Sequence, residues 1–315
     1  MSRKILLTST SFQDTPGKHQ ELLAAQDYEV TAMRGPLKAT ELLPIIAEFD
    51  AVICGDDEYT GEVLRKGKAG RLQCISKYGV GLDKIDLDAA ARLGIPVSNC
   101  PGVNHTAVAE HVLALLLTYE KNIHIQYNTV KQASWRRLTG HEVSGKTLGI
   151  IGMGAIGKAL AEKAIAFGLQ VIGYDIKRDE RFFAAHPQCQ YVEDINNIFA
   201  QSDYISLHTP LNEQTRKIIN KEVIEERIKK QAIIINTARG GLVDSTAIIE
   251  GIETGKIRAY LADVLEEEPI CTDEVLLGAN NVIITPHVGS RTYESVERQG
   301  IMAVENLIKL LSRSI

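Results

Sequence analysis

The sequence predicts an α/β fold built on parallel sheets, and three observations carry that expectation. Short unbroken apolar runs recur at residues 4–8, 51–54, 72–76, 147–151, 171–173, 204–207, 232–236 and 281–285. Runs that lack polar alternation suit strands covered on both faces. Helical stretches lie between many of these runs, as α/β units require. A glycine-rich turn through Gly152, Gly154 and Gly157 follows directly on the run 147–151.

Taken in order, the first region covers about residues 1–100. It holds several of these strands and closes on a run at 95–99, after which Pro101-Gly102 reads as a turn. A long helix is expected at about 106–123, where Ala109, Val112, Leu113, Leu116 and Leu117 recur at helical spacing. It is too apolar for an exposed linker, so a place at a junction between domains or subunits is expected. The second region starts around this helix, contains the glycine turn and ends with the strand at 281–285. A final helix at about 292–311 offers Val296, Met302, Val304, Ile308 and Leu311 for packing. Periodicity leaves open whether it returns to the first region.

Composition narrows the function classes. The 35 Lys and Arg against 40 Asp and Glu give a formal charge of -5, which argues against broad nucleic-acid binding. A local basic pocket for an anionic substrate stays compatible with that balance. Cys54, Cys74, Cys100, Cys189 and Cys271 show no metal-knuckle or redox spacing and read as free thiols in a reducing compartment. No uncharged apolar stretch reaches membrane-spanning length and no secretory signal is visible, so the cytoplasm is the expected compartment. The eight histidines form no HExxH pattern or cluster with cysteine, so no metal is expected.

The glycine turn is the most specific local signal. Gly152 permits a tight turn, Gly154 lets the backbone approach a pyrophosphate, and Gly157 lets the new helix sit close to the strand. Amide groups at the helix start, at Ala155, Ile156 and Gly157, then face the phosphates. Asp175 closes the next strand at the distance expected of a ribose ligand, where its carboxylate accepts hydroxyl protons and repels a 2′-phosphate. NAD is therefore favoured over NADP, although Lys177 and Arg178 stand nearby as possible phosphate partners. FAD is the alternative dinucleotide, and a chance glycine cluster is the alternative to any ligand.

Three further features lie where strands should end. Arg239 follows the run 232–236 into Gly240-Gly241, and a planar guanidinium matches a carboxylate through two parallel hydrogen bonds. It reads equally as a surface arginine at a turn. The acidic run Glu266-Glu267-Glu268 stops at Pro269; such runs are commonly solvated faces, but this one follows a short expected strand. His287 follows Pro286 at the end of the last strand, and histidine exchanges protons near neutral pH. A carboxylate from Glu268 beside it would favour the imidazolium. His208, after the run 204–207, is the competing proton carrier. His111, on the long helix, reads as structural.

These residues closely resemble the D-isomer-specific 2-hydroxyacid dehydrogenase family. The resemblance runs from about 51 to 310 through Tyr78-Gly79-Val80-Gly81, Pro101-Gly-Val-Asn104, Val108-Ala109-Glu110-His111, the glycine turn, Asn236-Thr-Ala-Arg239-Gly240, Asp263 to Pro269 and Pro286-His287. It implies two Rossmann-like domains with parallel sheets. A coenzyme domain at 101–287 would be inserted into a flavodoxin-like catalytic domain made of 1–100 plus 288–315. It implies that Arg239 holds the substrate carboxylate and keto oxygen, that His287 exchanges the proton as NADH delivers hydride, and that Glu268 pairs with His287. Backbone at Tyr78, Gly79, Val80 and Gly81 would help bind the carboxylate, with Asn104 near the substrate in the hinge. Asp263 would contact the nicotinamide amide. His208, Thr209, Pro210, Thr237, Ala238, Arg239 and His287 would line the cofactor. The resemblance further implies a homodimer formed through the coenzyme domains, with the long helix contributing, and no regulatory domain after the final helix.

Substrate choice is less specified. Many phosphoglycerate-using relatives carry an Arg-Ser-x-Thr-like segment where this chain has Gly55-Asp56-Asp57-Glu58-Tyr59, and three acids suit a phosphate poorly. Lys77, Trp135, Arg136 and Arg137 are alternative anion partners. The favoured substrates are hydroxypyruvate and glyoxylate. D-3-phosphoglycerate is the alternative, and a noncatalytic NAD(H)-sensing corepressor on the same scaffold is the rival of another class.

Overall fold

The protein is described by a computed structural model over residues 2–312. It divides into two compact units, Met1–Asn104 with Arg291–Ile315, and His105–Ser290. Among the described residues each unit is built on one parallel sheet.

The first unit contains β1 (Arg3–Leu7), β2 (Tyr28–Ala32), β3 (Ala51–Cys54), β4 (Cys74–Lys77) and β5 (Val97–Ser98). Their order, β2-β1-β3-β4-β5, is the flavodoxin-like one. β3 and β4 are buried at every position, which is why both read as unbroken apolar runs. β2 was not expected from its sequence. It lies at the sheet edge with four of five residues exposed, and five in-register pairs with β1 hold it there. The final helix, Tyr293–Ser312, belongs to this unit and buries Val296, Ala303, Val304, Leu307 and Leu311 against Ile5, Leu7 and Ile53.

The second unit contains β6 (Thr147–Ile151), β7 (Gln170–Tyr174), β8 (Cys189–Tyr191), β9 (Tyr204–Leu207), β10 (Ala232–Asn236), β11 (Ile257–Ala262) and β12 (Val282–Ile284). The order is β12-β11-β10-β9-β6-β7-β8. The chain leaves β6 toward β7 and β8 on one side and returns to β9 on the other. That reversal opens a crevice at the carboxyl ends of β6 and β9, where Rossmann-type sheets take their ligands.

The long helix spans His105–Glu120, shorter than expected at its carboxyl end. Its apolar side is covered within its own unit: Val112, Leu113 and Leu116 join Leu160, Ala161 and Ala164 of the helix Ala155–Ala166 in one core cluster. Part of that side, read from sequence as a junction surface, is taken up by a neighbouring helix of the same unit. The crossings between units fall after Asn104 and after Ser290, a few residues beyond the expected positions. Asn104 therefore closes the first unit, next to Val103, whose carbonyl accepts a hydrogen bond from Arg298 Nε at 3.0 Å. Among the described residues no helix is long and apolar enough to cross a membrane.

Candidate active site

In the second unit the expected residues gather at the carboxyl ends of six neighbouring strands. β6 leads into Gly152, whose φ of +102° is a left-handed conformation suited to glycine. A side chain there would also strike the backbone of His208, since a Cβ would lie 2.6 Å from its carbonyl carbon. Gly157 sits where a Cβ would fall 2.1 Å from the Gly152 carbonyl oxygen, so the helix packs on the turn only with glycine. At Gly154 a Cβ would meet nothing within 4 Å, which leaves that side of the turn open to a ligand. The first helical bond is made by Lys158 N–H to the Gly154 carbonyl at 3.0 Å. The amides of Ala155, Ile156 and Gly157 precede it and point along the helix axis toward the turn.

Asp175 follows β7. Its Oδ2 accepts the Met153 N–H at 2.7 Å and its Oδ1 the Lys177 N–H at 3.3 Å. The acid thus braces the glycine turn while keeping carboxylate lone pairs for further donors. Tyr191 donates its hydroxyl to the Asp175 carbonyl at 2.9 Å, which fixes the strand end. Arg178 pairs with Glu180 at 3.1 Å and lies over the rings of Phe183 and Tyr191. Ile176 is 94% exposed, a large apolar side chain presented beside Asp175. It carries no motif in the sequence; its place directly after Asp175 was the available signal.

β9 ends at His208, whose Nε2 lies 2.8 Å from Ser206 Oγ. Burial strips water from the ring and pushes its pKa down from 6.5 to about 3. Burial thus favours the neutral ring at His208. β10 ends at fully buried Asn236, and this side chain shapes the Thr237–Ala238–Arg239 turn. Its Nδ2 donates to the Arg239 carbonyl at 2.9 Å and its Oδ1 accepts the Ala238 N–H at 3.1 Å. Arg239 enters the 3-10 turn Gly240–Leu242 and is half-buried, with Nη1 donating to the Ala238 carbonyl at 2.7 Å. Asn236 had a signal in the sequence, as the one polar residue at the end of an otherwise apolar strand.

The residues fit a dinucleotide. His208 Nδ1, Thr209 Oγ1 and Thr237 Oγ1 are buried and lack a hydrogen-bond partner among the described residues. They stand at the ends of adjacent strands β9 and β10, on the segments expected to line the cofactor. A buried unpaired polar atom costs about 1–3 kcal/mol, so three together mark a place where a polar ligand completes the bonding.

β11 ends at Asp263, which is almost fully buried. Its Oδ1 accepts from the Thr285 hydroxyl at 2.5 Å and the Val288 N–H at 2.9 Å, and its Oδ2 from the Gly289 N–H at 2.7 Å. His111 Nε2 lies 3.4 Å from Oδ1 and 2.9 Å from Thr285 Oγ1. Burial by itself would raise the Asp263 pKa, but the bonds from His111, Thr285, Val288 and Gly289 prevail and hold it below the ordinary value. Asp263 is thus the brace of the segment 285–289, and His111 belongs to the same brace.

That segment carries His287 at the end of β12. Its φ of +53° is left-handed, a costly conformation for a side chain with Cβ. Its N–H bonds to the carbonyls of Asp263 at 2.9 Å and Thr285 at 3.0 Å hold it there. His287 Nδ1 lies 2.7 Å from Glu268 Oε2, while Glu268 Oε1 accepts the Leu265 N–H at 2.9 Å. The two side chains are 34% and 31% exposed, so the pair is ordered yet reachable. Of the acidic run, Glu268 makes this contact, whereas Glu266 lies 4.0 Å from Arg216.

In the first unit, Tyr78, Gly79, Val80 and Gly81 follow β4. Gly79 has a φ of +117°. The carbonyls of Gly79 and Val80 accept from Cys100 N–H at 2.8 Å and Asn99 Nδ2 at 2.7 Å, which pins the loop. The Tyr78 ring is buried edge-on to Phe12, and burial pushes its hydroxyl pKa up. Val80 is 41% exposed, at the outer side of the loop.

Comparison with known proteins shows the family to which the chain belongs. Residues 113–289 match the model of the D-isomer specific 2-hydroxyacid dehydrogenase NAD binding domain. The chain is 41% identical over 298 residues to a hydroxypyruvate reductase of Thermotoga maritima, covering 93% of this chain and 94% of that protein. It is 40% identical over 311 residues to a D-3-phosphoglycerate dehydrogenase of Methanocaldococcus jannaschii, covering 98% of this chain but 57% of that protein. Among solved structures, the TT0316 protein from Thermus thermophilus aligns with a TM-score of 0.86 at 33% identity, over 98% of this chain and 97% of that one.

Proposed function

The chain belongs to the D-isomer-specific 2-hydroxyacid dehydrogenase family, and we propose that it interconverts a small 2-oxo acid, hydroxypyruvate or glyoxylate, with its 2-hydroxy acid. It is an NAD-dependent oxidoreductase acting on a CH–OH group. The observation that carries the proposed chemistry is the Glu268–His287 contact of 2.7 Å at the ends of adjacent strands β11 and β12.

When bound, NADH supplies the hydride that reaches the carbonyl carbon. Ala155, Ile156 and Gly157 direct their amides at the pyrophosphate from the open side of Gly154. Asp175 accepts ribose hydroxyl protons with the lone pairs that Met153 and Lys177 leave, and Ile176 gives the purine an apolar face. His208, Thr209 and Thr237 supply the buried polar atoms, while Pro210 and Ala238 complete the lining. Arg239 grips the substrate carboxylate and keto oxygen through its planar guanidinium. In the first unit, the backbone of Tyr78, Gly79, Val80 and Gly81, with Asn104, is the candidate substrate-binding element. His287 gives its proton from Nε2 to the keto oxygen, because Nδ1 is engaged by Glu268. Glu268 stabilises the imidazolium and fixes the ring; it withdraws no proton itself. In oxidation the same atoms take the proton back.

The proposed assembly is a homodimer. The helix Ile123–Lys131 has no buried residue, and Ile123, Tyr127, Val130 and Trp135 are each more than half exposed. Such a run of apolar surface suits a second copy of the chain. A cytoplasmic location without nucleic-acid partners is the companion reading of the charge balance and of the free cysteines.

Steady-state NADH oxidation against glyoxylate, hydroxypyruvate, pyruvate and 3-phosphohydroxypyruvate tests the substrate class. The highest kcat/KM is expected with hydroxypyruvate or glyoxylate. Tight NADH binding without turnover on any of the four would replace the enzyme with a dinucleotide sensor. Light scattering should give the mass of two chains.

A further inference from the structure

Residues 56–58 are three consecutive acids, and the fold gives each its own task. Asp57 is fully buried. Its Oδ1 accepts the Leu37 N–H at 2.7 Å, and its Oδ2 accepts the Gly55 N–H at 3.1 Å and the Thr8 hydroxyl at 2.5 Å. It ties together the ends of β1 and β3. Glu58 Oε2 accepts the Ala39 N–H at 3.1 Å and holds a neighbouring helix start. Asp56 instead meets an ammonium: Lys77 Nζ donates to Asp56 Oδ1 at 2.8 Å.

Lys77 is the last residue of β4, directly before the loop 78–81. Its side chain is 4% exposed, while that of Asp56 is 42% exposed. The ammonium also donates to the Tyr78 carbonyl at 3.3 Å and stands 3.7 Å from where a Cβ on Gly79 would be. A positive charge is thus held directly against the first glycine of the loop, with a carboxylate at contact distance on its solvent side. An ammonium in that position attracts a second anionic group on any substrate held by the loop. A carboxylate paired with it cancels that attraction and repels a dianion outright.

We propose that Asp56 is a specificity-determining residue: by neutralising the Lys77 ammonium at the substrate loop, it favours 2-oxo acids with an uncharged C3 substituent over their 3-phosphorylated counterparts. The inference rests on the reading above, that the loop 78–81 holds the substrate carboxylate. It supplies what overall similarity leaves open, since identity to the hydroxypyruvate reductase and to the D-3-phosphoglycerate dehydrogenase is 41% and 40%.

The test is the ratio of kcat/KM for 3-phosphohydroxypyruvate to that for hydroxypyruvate, measured with NADH in wild type, Asp56→Asn, Glu58→Gln and Lys77→Met. Asp56→Asn should raise the ratio by roughly 10- to 100-fold, the effect of removing one charge beside a dianion in partly buried surroundings. Glu58→Gln removes a charge from the same segment and should move the ratio less than about threefold, because its carboxylate is turned to a backbone amide. Lys77→Met leaves Asp56 without this cation and should lower the ratio about tenfold. Asp56 is exposed enough to stay hydrated, so this variant remains informative if Asp56→Asn does not fold. An unchanged ratio in either Asp56→Asn or Lys77→Met, or an equal rise in Glu58→Gln, overturns the proposal. If wild type turns over neither acid, the substrate reading fails and this inference falls with it. If wild type reduces hydroxypyruvate but the ratio ignores Asp56, only the inference fails.

Discussion

Replacing glycine by alanine at 154 and at 157 should produce opposite failures, although the two positions are three residues apart. At Gly157 the new Cβ would lie 2.1 Å from the Gly152 carbonyl oxygen and 3.2 Å from Ile150 Cγ2. Carbon–oxygen contacts begin near about 3.3 Å, so the helix must retreat from the turn by roughly 1 Å. The retreat loosens Leu160, Ala161 and Ala164, which are fully buried in the core beneath that helix. Overpacking of this kind costs about 1–3 kcal/mol, or about 3–10 °C in melting temperature for a unit of this size. At Gly154 the backbone is extended, with φ −73° and ψ −161°, and a Cβ meets nothing within 4 Å. Alanine there should leave the melting temperature within about 2 °C, since compatible Gly→Ala changes are neutral to mildly stabilising. The added methyl group stands where the backbone must approach the pyrophosphate, so NADH affinity should fall at least about tenfold. Thermal melts and NADH fluorescence titrations of both variants decide the matter. Loss of stability with intact affinity in Gly154→Ala, or neither effect in Gly157→Ala, would refute the assignment of the turn.

The remaining predictions concern charge and protons. His287→Ala should cut kcat by about 10²–10⁴ with NADH affinity nearly unchanged; wild-type turnover would remove His287 from the chemistry. Asp175→Ser should raise the NADPH/NADH ratio of kcat/KM, with Lys177 and Arg178 following it in the chain as cations for a 2′-phosphate, and an unmoved ratio would reject the ribose assignment. His208 sets an acid limit on stability. Its pKa falls from 6.5 to about 3 on folding, so between those values the unfolded chain binds a proton that the folded chain refuses. Stability therefore drops as pH falls, by about 2 kcal/mol from this group between pH 7 and pH 5, and urea melts of His208→Asn should show a correspondingly shallower acid loss. Native alkylation should reach half-exposed Cys271 first. Cys54, Cys74, Cys100 and Cys189 are buried, and burial pushes the Cys74 thiol up to about 12 and the Cys100 and Cys189 thiols up to about 11. A second thiol labelled at the rate of Cys271 would contradict that ordering.

Much of the site was legible because glycine and proline restrict the backbone wherever they stand. The turn at Gly152, Gly154 and Gly157 announces itself in one dimension, since its three requirements fall within six residues. His287 and Arg239 were legible as polar residues leaving apolar strands. Less could be read where partners are far apart along the chain. Asp263 was expected at the nicotinamide, and nothing local announced that its carboxylate oxygens also accept from Thr285, Val288 and Gly289. Those donors lie 22 to 26 positions away and carry no marking of their own. The edge strand β2 stayed hidden because its residues are mostly exposed and its stability comes from pairing with β1.

By itself the sequence determined the α/β class and the dinucleotide turn, and it singled out Arg239, Glu268 and the histidines as candidates, because glycine turns and strands buried on both faces depend on local backbone freedom and apolar runs. Only the tertiary structure gives the two candidate histidines different surroundings. Burial favours the neutral ring at His208, while Glu268 stands at hydrogen-bond distance from His287. It also sorted three identical-looking acids into a buried staple, a helix brace and a counter-ion. Hydration, burial and the approach of charges are properties of position in space, and neighbours brought together by the sheets set them.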